Sequence, residues 1–268
     1  MKTYLKWAIM PLLLFGAFTM EAQTTDHLAV KKSGIGSAYT LNQLTKAEKS
    51  AGWKLLFDGK TTNGWRGAGM TAFPDHGWKV ENGELIVMKT NGTNNKRGGD
   101  IVTNDEYSAF ELTFEFKLTT GANSGVKYLI LESRKNKGFV IGPEYQVLDD
   151  AVHPDAKLYT TYPGSRTLSS LYDIIAAKNK HFNGVGVWNR GLIKVSPKMH
   201  VEHWLNGTKV LEYDWSTKEF LDLVKGSKFA GEQYREFGGF GLAKKGYILL
   251  QDHGDEVAYR NIKIRVLK

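Results

Sequence analysis

The 268-residue chain predicts an all-β protein, a two-sheet β-sandwich or jelly roll with one or two short helices, and three observations carry this. The Asn82-Gly83 and Asn206-Gly207 pairs each separate two short apolar runs, the signature of a tight hairpin whose turn needs positive φ. The segment "FELTFEFKL" alternates: Phe110, Leu112, Phe114, Phe116 and Leu118 share one face, and Glu111, Glu115 and Lys117 share the other, as in a half-buried antiparallel strand. Aromatics make up 12% of the chain, with 29 Gly against six Pro, which suits turn-rich β structure.

The N-terminus, "MKTYLKWAIMPLLLFGAFTMEAQTT", has a basic start at Lys2 and Lys6, an apolar run from Trp7 to Thr19 and a small-residue cleavage site ending at Ala22. Residues 1–22 therefore read as a secretory signal peptide. The run is shorter than a membrane span needs, so an exported protein, periplasmic or extracellular, is expected. No cysteine is present, so neither a disulfide nor a lipid anchor through a cysteine is expected, and the hydrophobic core must carry stability. Net charge is +8, but the basic residues are scattered, which argues against nucleic acid as a partner.

Residues 23–42 read as a flexible leader, and residues 43–268 as one domain. Thr45 and Glu48 have capping-box spacing for a short helix that stops at Gly52. Further strands are expected in "SGVKYLIL", "EYQVLDD", "NGVGVWNRGLIKV", "GYILLQDH" and "EVAYRNIKIRVL". A second helix is expected over Thr217 to Lys225, with Ser216 and Glu219 as its capping box and Gly226 as its stop. No βαβ rhythm, repeat or linker interrupts the block, so one sandwich is preferred.

The segment "EYQVLDD" (Glu144 to Asp150) places chemistry on a strand. Glu144 and Gln146 share a face. Asp149 joins them only if a bulge near Val147-Leu148 inserts a residue; without one, Asp150 does. Gln251 and His253 share a face beside a Gly254-Asp255 turn. His153 precedes a proline in a turn, where loop structure and function are both open. Trp188 is either a sugar-stacking platform or core. His200 and His203, three apart on a strand, point to opposite faces, which disfavours a zinc site.

Five ordered stretches, "GWKLLFDGKTTNGW", "NSGVKYLI", "EYQVLDD", "HWLNGTKVLEYD" and "ILLQDHGDEVAYRNIKIR", are collinear from about Gly52 to Leu267. In them the chain resembles the 3-keto-disaccharide hydrolase domain family. The resemblance implies a concanavalin-like jelly roll, an exported bacterial protein and action on glycosides oxidised to a ketone at sugar carbon 3. It also implies an upstream oxidoreductase that makes the 3-keto sugar. A ketone at carbon 3 acidifies the hydrogen on carbon 2, so a base can form an enolate that expels the aglycone from carbon 1, and water then adds. This route needs a base, an electropositive group at the enolate oxygen and an acid at the leaving group. Glu144 or Asp149 is the candidate base. Lys127, Arg166, His253 or a divalent cation held by carboxylates and His is the candidate partner of the oxyanion. Asp100, Arg166 and Tyr172 lie in "GGDIVTN" and "GSRTLSSLYD", which are similar to the family.

Two other readings stand beside this one. "EYQVLD" also resembles the strand of laminarinase-like retaining glycosidases, whose two carboxyls stand roughly 5 to 5.5 Å apart. Here Gln146 replaces the middle Asp, and Asp149 stands where a longer Glu is expected. A non-catalytic carbohydrate-binding module is the other reading, because jelly rolls host many lectins.

Overall fold

The computed structural model describes residues 40–90 and 96–268; the expected signal peptide and most of the expected leader lie outside them. No helix among the described residues is long and apolar enough to cross a membrane. The fold is a concanavalin-like sandwich of two sheets.

The strands are β1 (Trp53–Leu55), β2 (Trp65–Gly67), β3 (Trp78–Glu81), β4 (Glu84–Val87), β5 (Ile101–Tyr107), β6 (Phe110–Leu118) and β7 (Asn123–Glu132). They continue with β8 (Val140–Ile141), β9 (Glu144–Leu148), β10 (Asn189–Val195), β11 (His200–Leu205), β12 (Thr208–Asp214), β13 (Gly246–Leu250) and β14 (Val257–Val266). The larger sheet runs β12-β11-β10-β6-β14-β4-β3, with β1 also on β14. The smaller runs β2-β5-β13-β7, and β7 pairs with β9 at one end and β8 at the other.

Local chemistry explains the boundaries. Asn82-Gly83 and Asn206-Gly207 both take positive φ and close the β3–β4 and β11–β12 hairpins. Helix α1 (Lys46–Ser50) has the full capping box, with Thr45 accepting from the Glu48 amide and Glu48 from the Thr45 amide. Just ahead of it, Asn42 at the end of the expected leader is buried and exchanges two hydrogen bonds with Asn261 of β14.

Two expectations differ from the structure. Helix α2 (Lys218–Lys225) is capped by Thr217, whose hydroxyl accepts from the Phe220 amide. Ser216 instead adopts positive φ and donates to the Gly241 carbonyl, so no Ser216–Glu219 box forms. Residues 183–188 are irregular, and β10 begins only at Asn189. Of the two alternatives left open for β9, the one without a bulge is found: Glu144 to Leu148 pair without a shift against Lys127 to Asn123.

The alternation of β6 sends its three Phe rings into the space between the sheets. From the other sheet, Tyr145 meets Phe114 edge to face at 5.3 Å. His203 is fully buried there, held by the Tyr128 hydroxyl at 2.7 Å and the Ser169 carbonyl at 3.0 Å. Burial drives its pKa down to about 4, so it stays neutral, and a neutral imidazole suits a dry core. His200 points the other way, towards Asp214 and Glu212.

Gly191 of β10 lies against the Phe114 ring, where a Cβ would collide with it. Gly191→Ala is expected to cost about 1–3 kcal/mol through overpacking, measured as a lower urea midpoint at unchanged slope; an unchanged midpoint would show that this contact does not limit the core.

Candidate active site

Since Tyr145 and Val147 face the core, the pleat turns Glu144 and Gln146 to the outer face of the smaller sheet. The same alternation in β7 turns Asn123, Gly125 and Lys127 outward, with Lys127 opposite Glu144 and Gly125 opposite Gln146 in register. Around these side chains is a cavity of about 270 Å³. Asp100, which precedes β5, and Gln251 and His253, which follow β13, also line it. Its other walls include Tyr172, Phe139 before β8, and Lys228, Phe229 and Tyr234 from the segment after α2.

The electrostatic centre is Lys127, whose ammonium lies 3.6 Å from Asp100 Oδ2 and 3.8 Å from Glu144 Oε2. Burial pulls the Lys127 pKa down, but the charges of Glu144 and Asp100 outweigh it and leave the value raised. Lys127 is a permanent cation. For Glu144, burial pushes the pKa up, and Lys127 and Lys228 only partly offset this, so its pKa remains above the ordinary glutamate value. One cation shared by two carboxylates explains both directions, because Asp100 holds part of the field Glu144 would otherwise use.

Glu144 lies across the backbone of β7. A Cβ on Gly125 would overlap its Oε1. Glycine at this position therefore lets the carboxylate settle on the strand beside Lys127.

Lys228 is a second cation of a different kind. Its ammonium sits 4.1 Å from the centre of the Tyr172 ring, and among the described residues no carboxylate oxygen lies within ion-pair distance of it. The residue as a whole is exposed. Around the ammonium, however, desolvation and then Lys127 and Arg166 pull its pKa down against the opposing pull of Glu144 and Asp173. Two carbonyl oxygens at the cavity, Asn123 Oδ1 and Gln146 Oε1, are buried with no hydrogen-bond partner among the described residues. Asn123 is 3% exposed and Gln146 1%. Unmatched acceptors beside a cavity are what a hydroxyl-bearing ligand satisfies.

The structure thus brings Lys127, Glu144, Gln146, Asp100, Tyr172, Gln251 and His253 together. The other expected residues stand elsewhere. Asp149 follows the end of β9, and its carboxylate accepts from the Gly121 and Ala151 amides, so it closes a turn. Asp150 accepts from the Leu168 amide and pairs with Lys180. Arg166 lies behind Tyr172, held by Asp155 at 2.9 Å and Asp173 at 2.7 Å. Trp188 packs between Lys117 and Arg260, whose carboxylate partners place it on the outer face of the larger sheet.

His153 caps a short 3-10 turn, its Nδ1 accepting from the Asp155 amide at 3.1 Å, and its ring meets His253 at 6.0 Å. Ligand atoms of His153, His253 and Asp255 come within 4.8 Å of one another. With Nδ1 accepting, however, a neutral His153 carries its proton on Nε2 and has no free lone pair for a cation, whereas a metal-bound histidine donates through its other nitrogen. In this arrangement the group does not fit a divalent cation. The other such group among the described residues, His200, Glu202 and Glu212, lies on the outer face of the larger sheet.

Lys228, Phe229, Tyr234, Phe139 and Asn123 were not singled out from the sequence. Asn123 was within reach of the period-two pattern through Lys127. The others stand in segments without a period.

Fold and site together define a concanavalin-like sandwich with a charged polar cavity on the outside of one sheet. Residues 52–265 match the 3-keto-alpha-glucoside-1,2-lyase-like domain family, and the chain belongs to that family. It is 37% identical, over 92% of its length and 89% of the relative's, to a protein of Bacteroides thetaiotaomicron named 3-keto-disaccharide hydrolase. A crystal structure from Parabacteroides distasonis, provisionally assigned as a glycosyl hydrolase, superposes with a TM-score of 0.70 at 28% identity, over 85% of this chain and all of that one. A second from the same organism gives 0.58 at 27% identity, over 80% and 99%.

Carboxyl-detected NMR is expected to show Glu144 titrating above the ordinary glutamate range, and higher still in Lys127→Met, where the nearest cation is gone. A Glu144 that titrates at or below the ordinary value would contradict this electrostatic picture.

Proposed function

We propose that this protein cleaves the glycosidic bond of 3-keto-glycosides by elimination across carbons 1 and 2, with later addition of water giving net hydrolysis. The observation that carries this reading is the buried Glu144 carboxylate, raised in pKa and seated beside a permanent cation in the cavity. Family membership, together with the name of the Bacteroides relative, supplies the substrate class.

In this scheme Glu144 takes the proton from carbon 2, and the electron pair moves onto the carbon 3 oxygen. Lys127 faces the developing enolate oxygen and needs no reorganisation to stabilise it. The enolate then re-forms the ketone as the bond from carbon 1 to the aglycone breaks. Lys228 gives the departing oxygen its proton; a lysine whose pKa is pulled down is a better acid than one in water. Asn123 and Gln146 accept from sugar hydroxyls with their unmatched oxygens. Water adds at carbon 1 and a proton at carbon 2.

Retaining hydrolysis is disfavoured, since it needs a second carboxylate in place of Asp149, which is committed to backbone amides. Of the carboxylates that line the cavity, Asp100 shares the Lys127 ammonium with Glu144. The reading extends to an exported protein fed by an oxidoreductase that makes the 3-keto sugar.

Incubation with a 3-keto-glucoside in deuterated water is expected to release the aglycone with deuterium at carbon 2 of the sugar product. Glu144→Gln is expected to lower turnover by about 10²–10⁴-fold, and Gly125→Ala to lower it with the fold retained, by displacing the carboxylate. An inert substrate with folded protein would leave sugar binding without catalysis. The pH profile should be bell-shaped. Its acid limb reports deprotonation of Glu144 and lies above the ordinary glutamate value; its alkaline limb reports loss of the Lys228 proton and lies below the ordinary lysine value. Removal of the alkaline limb in Lys228→Met would support that assignment, and an unchanged profile would reject it.

A further inference from the structure

Addition of water at carbon 1 needs a base. Among the described residues, four titratable side chains that line the cavity have no part in elimination: Asp100, Tyr172, Tyr234 and His253. Asp100 is already engaged, accepting from the Asp252 amide at 3.0 Å and facing the Lys127 ammonium at 3.6 Å. The two phenols keep their protons, since burial raises both pKa values. His253 differs from all three. Burial first, with the charges of Arg97 and His153, pulls its pKa below the ordinary imidazole value against the opposing pull of Asp255 and Asp155. Its ring is therefore neutral and basic at neutral pH. Its backbone carbonyl accepts from Arg97, and among the described residues its ring nitrogens have no hydrogen-bond partner.

The turn that carries His253 after β13 is fixed. Buried Asp252 accepts from the Gly99 amide at 3.1 Å and the Gly254 amide at 2.9 Å. Asp255 accepts from the Asn123 amide at 3.1 Å and so ties the turn to β7. Asn123 and His253 line the same cavity, and Asn123 Oδ1 is one of its two unmatched acceptors. A water here can give one proton to Asn123 Oδ1 and the other to the imidazole. A carbonyl oxygen has two lone pairs, so Asn123 can bind a sugar hydroxyl as well. The Glu144 carboxylate lies over Gly125, and Asn123 is two residues further along β7, about 7 Å away. Inverting glycosidases leave a similar gap, roughly 6.5–9.5 Å, for the water between their acid and their base.

Building on the elimination reading, we propose that His253 is the general base of the hydration half-reaction and that Asn123 holds the attacking water. His253 takes one proton of the water as the oxygen bonds to carbon 1 of the enone left by elimination. The carbon 1–carbon 2 double bond shifts to carbons 2 and 3, and the carbon 3 oxygen becomes the enolate that Lys127 faces. Glu144, protonated during elimination and re-equilibrated with solvent, gives a proton to carbon 2, and the ketone re-forms. His253 then loses its proton to solvent, and Lys228 regains from solvent the one it gave to the aglycone.

The test supplies the enone directly, as the 3-keto-glucal with a hydroxyl on carbon 2, and follows loss of its conjugated absorbance. Hydration is expected to fall about 10²-fold or more in His253→Gln. The wild-type rate is expected to decline as pH drops through a value below the ordinary imidazole pKa, and that limb is expected to be missing from the residual rate of the variant. With a 3-keto-glucoside, the wild type is expected to release aglycone and 3-keto-glucose in equal amounts. His253→Gln is expected to release aglycone with enone in place of the sugar, and aglycone release itself reports that the variant is folded. Hydration by His253→Gln at the wild-type rate, an unchanged ratio of enone to sugar, or a wild-type protein that releases aglycone yet leaves the enone untouched would overturn the proposal. A wild-type protein that hydrates the enone but leaves the 3-keto-glucoside intact would count against the elimination reading and leave the hydration base standing.

Discussion

The Glu144 carboxylate rests on a strand that has no side chain beneath it. That one steric condition, glycine at position 125 opposite Gln146 and beside Lys127 in register, governs the rest of the site. It keeps the acid buried, which raises its pKa, and it keeps the acid next to the cation that opposes the rise. Either effect alone would spoil a base: burial without the cation would leave it protonated, and the cation without burial would leave it too weakly basic.

The sandwich supplies rigidity from the other side. Tyr145, the neighbour of Glu144, is wedged against Phe114 of the opposing sheet, and its hydroxyl bonds Ser169 at 2.7 Å and the Trp204 carbonyl at 3.1 Å. Strand β9 therefore cannot slip by one residue without exchanging a buried tyrosine for a carboxylate. Across the cavity the walls come from less regular chain. Lys228 is anchored by its amide on Asp173, and Phe229 stacks on Phe240 at 4.0 Å. Asp173 also holds Arg166, which lies under Tyr172. One carboxylate thus ties the segment after α2 to the wall made by Tyr172.

Much of the fold could be read in the sequence because its signals are local. The Asn-Gly turns need positive φ, the alternation of Phe110 to Leu118 needs a half-buried strand, and the Thr45–Glu48 box needs a helix start. Glu144 and Gln146 were legible for the same reason, as polar positions at even spacing on a strand with apolar neighbours, whereas Lys127 came from the resemblance and the charge its chemistry needs. Asp149 and Asp150 were not, because their roles depend on where β9 stops and on the Gly121, Ala151 and Leu168 amides, which are distant or beyond the strand. Lys228 and Tyr234 belong to a run of short 3-10 turns with no period to read, and only tertiary contacts bring them to the cavity. Trp188 was ambiguous from sequence; the cations on the outer face of the larger sheet claim it.

Proton removal from carbon 2 by Glu144 can be measured apart from bond cleavage. The substrate is a 3-ketone of 1,5-anhydroglucitol, which has hydrogen in place of the aglycone and cannot eliminate. In deuterated water the protein is expected to exchange its carbon 2 hydrogen at a rate that collapses in Glu144→Gln. A folded protein that leaves that hydrogen unexchanged, or a Glu144→Gln variant that exchanges it as fast, would contradict Glu144 as the base.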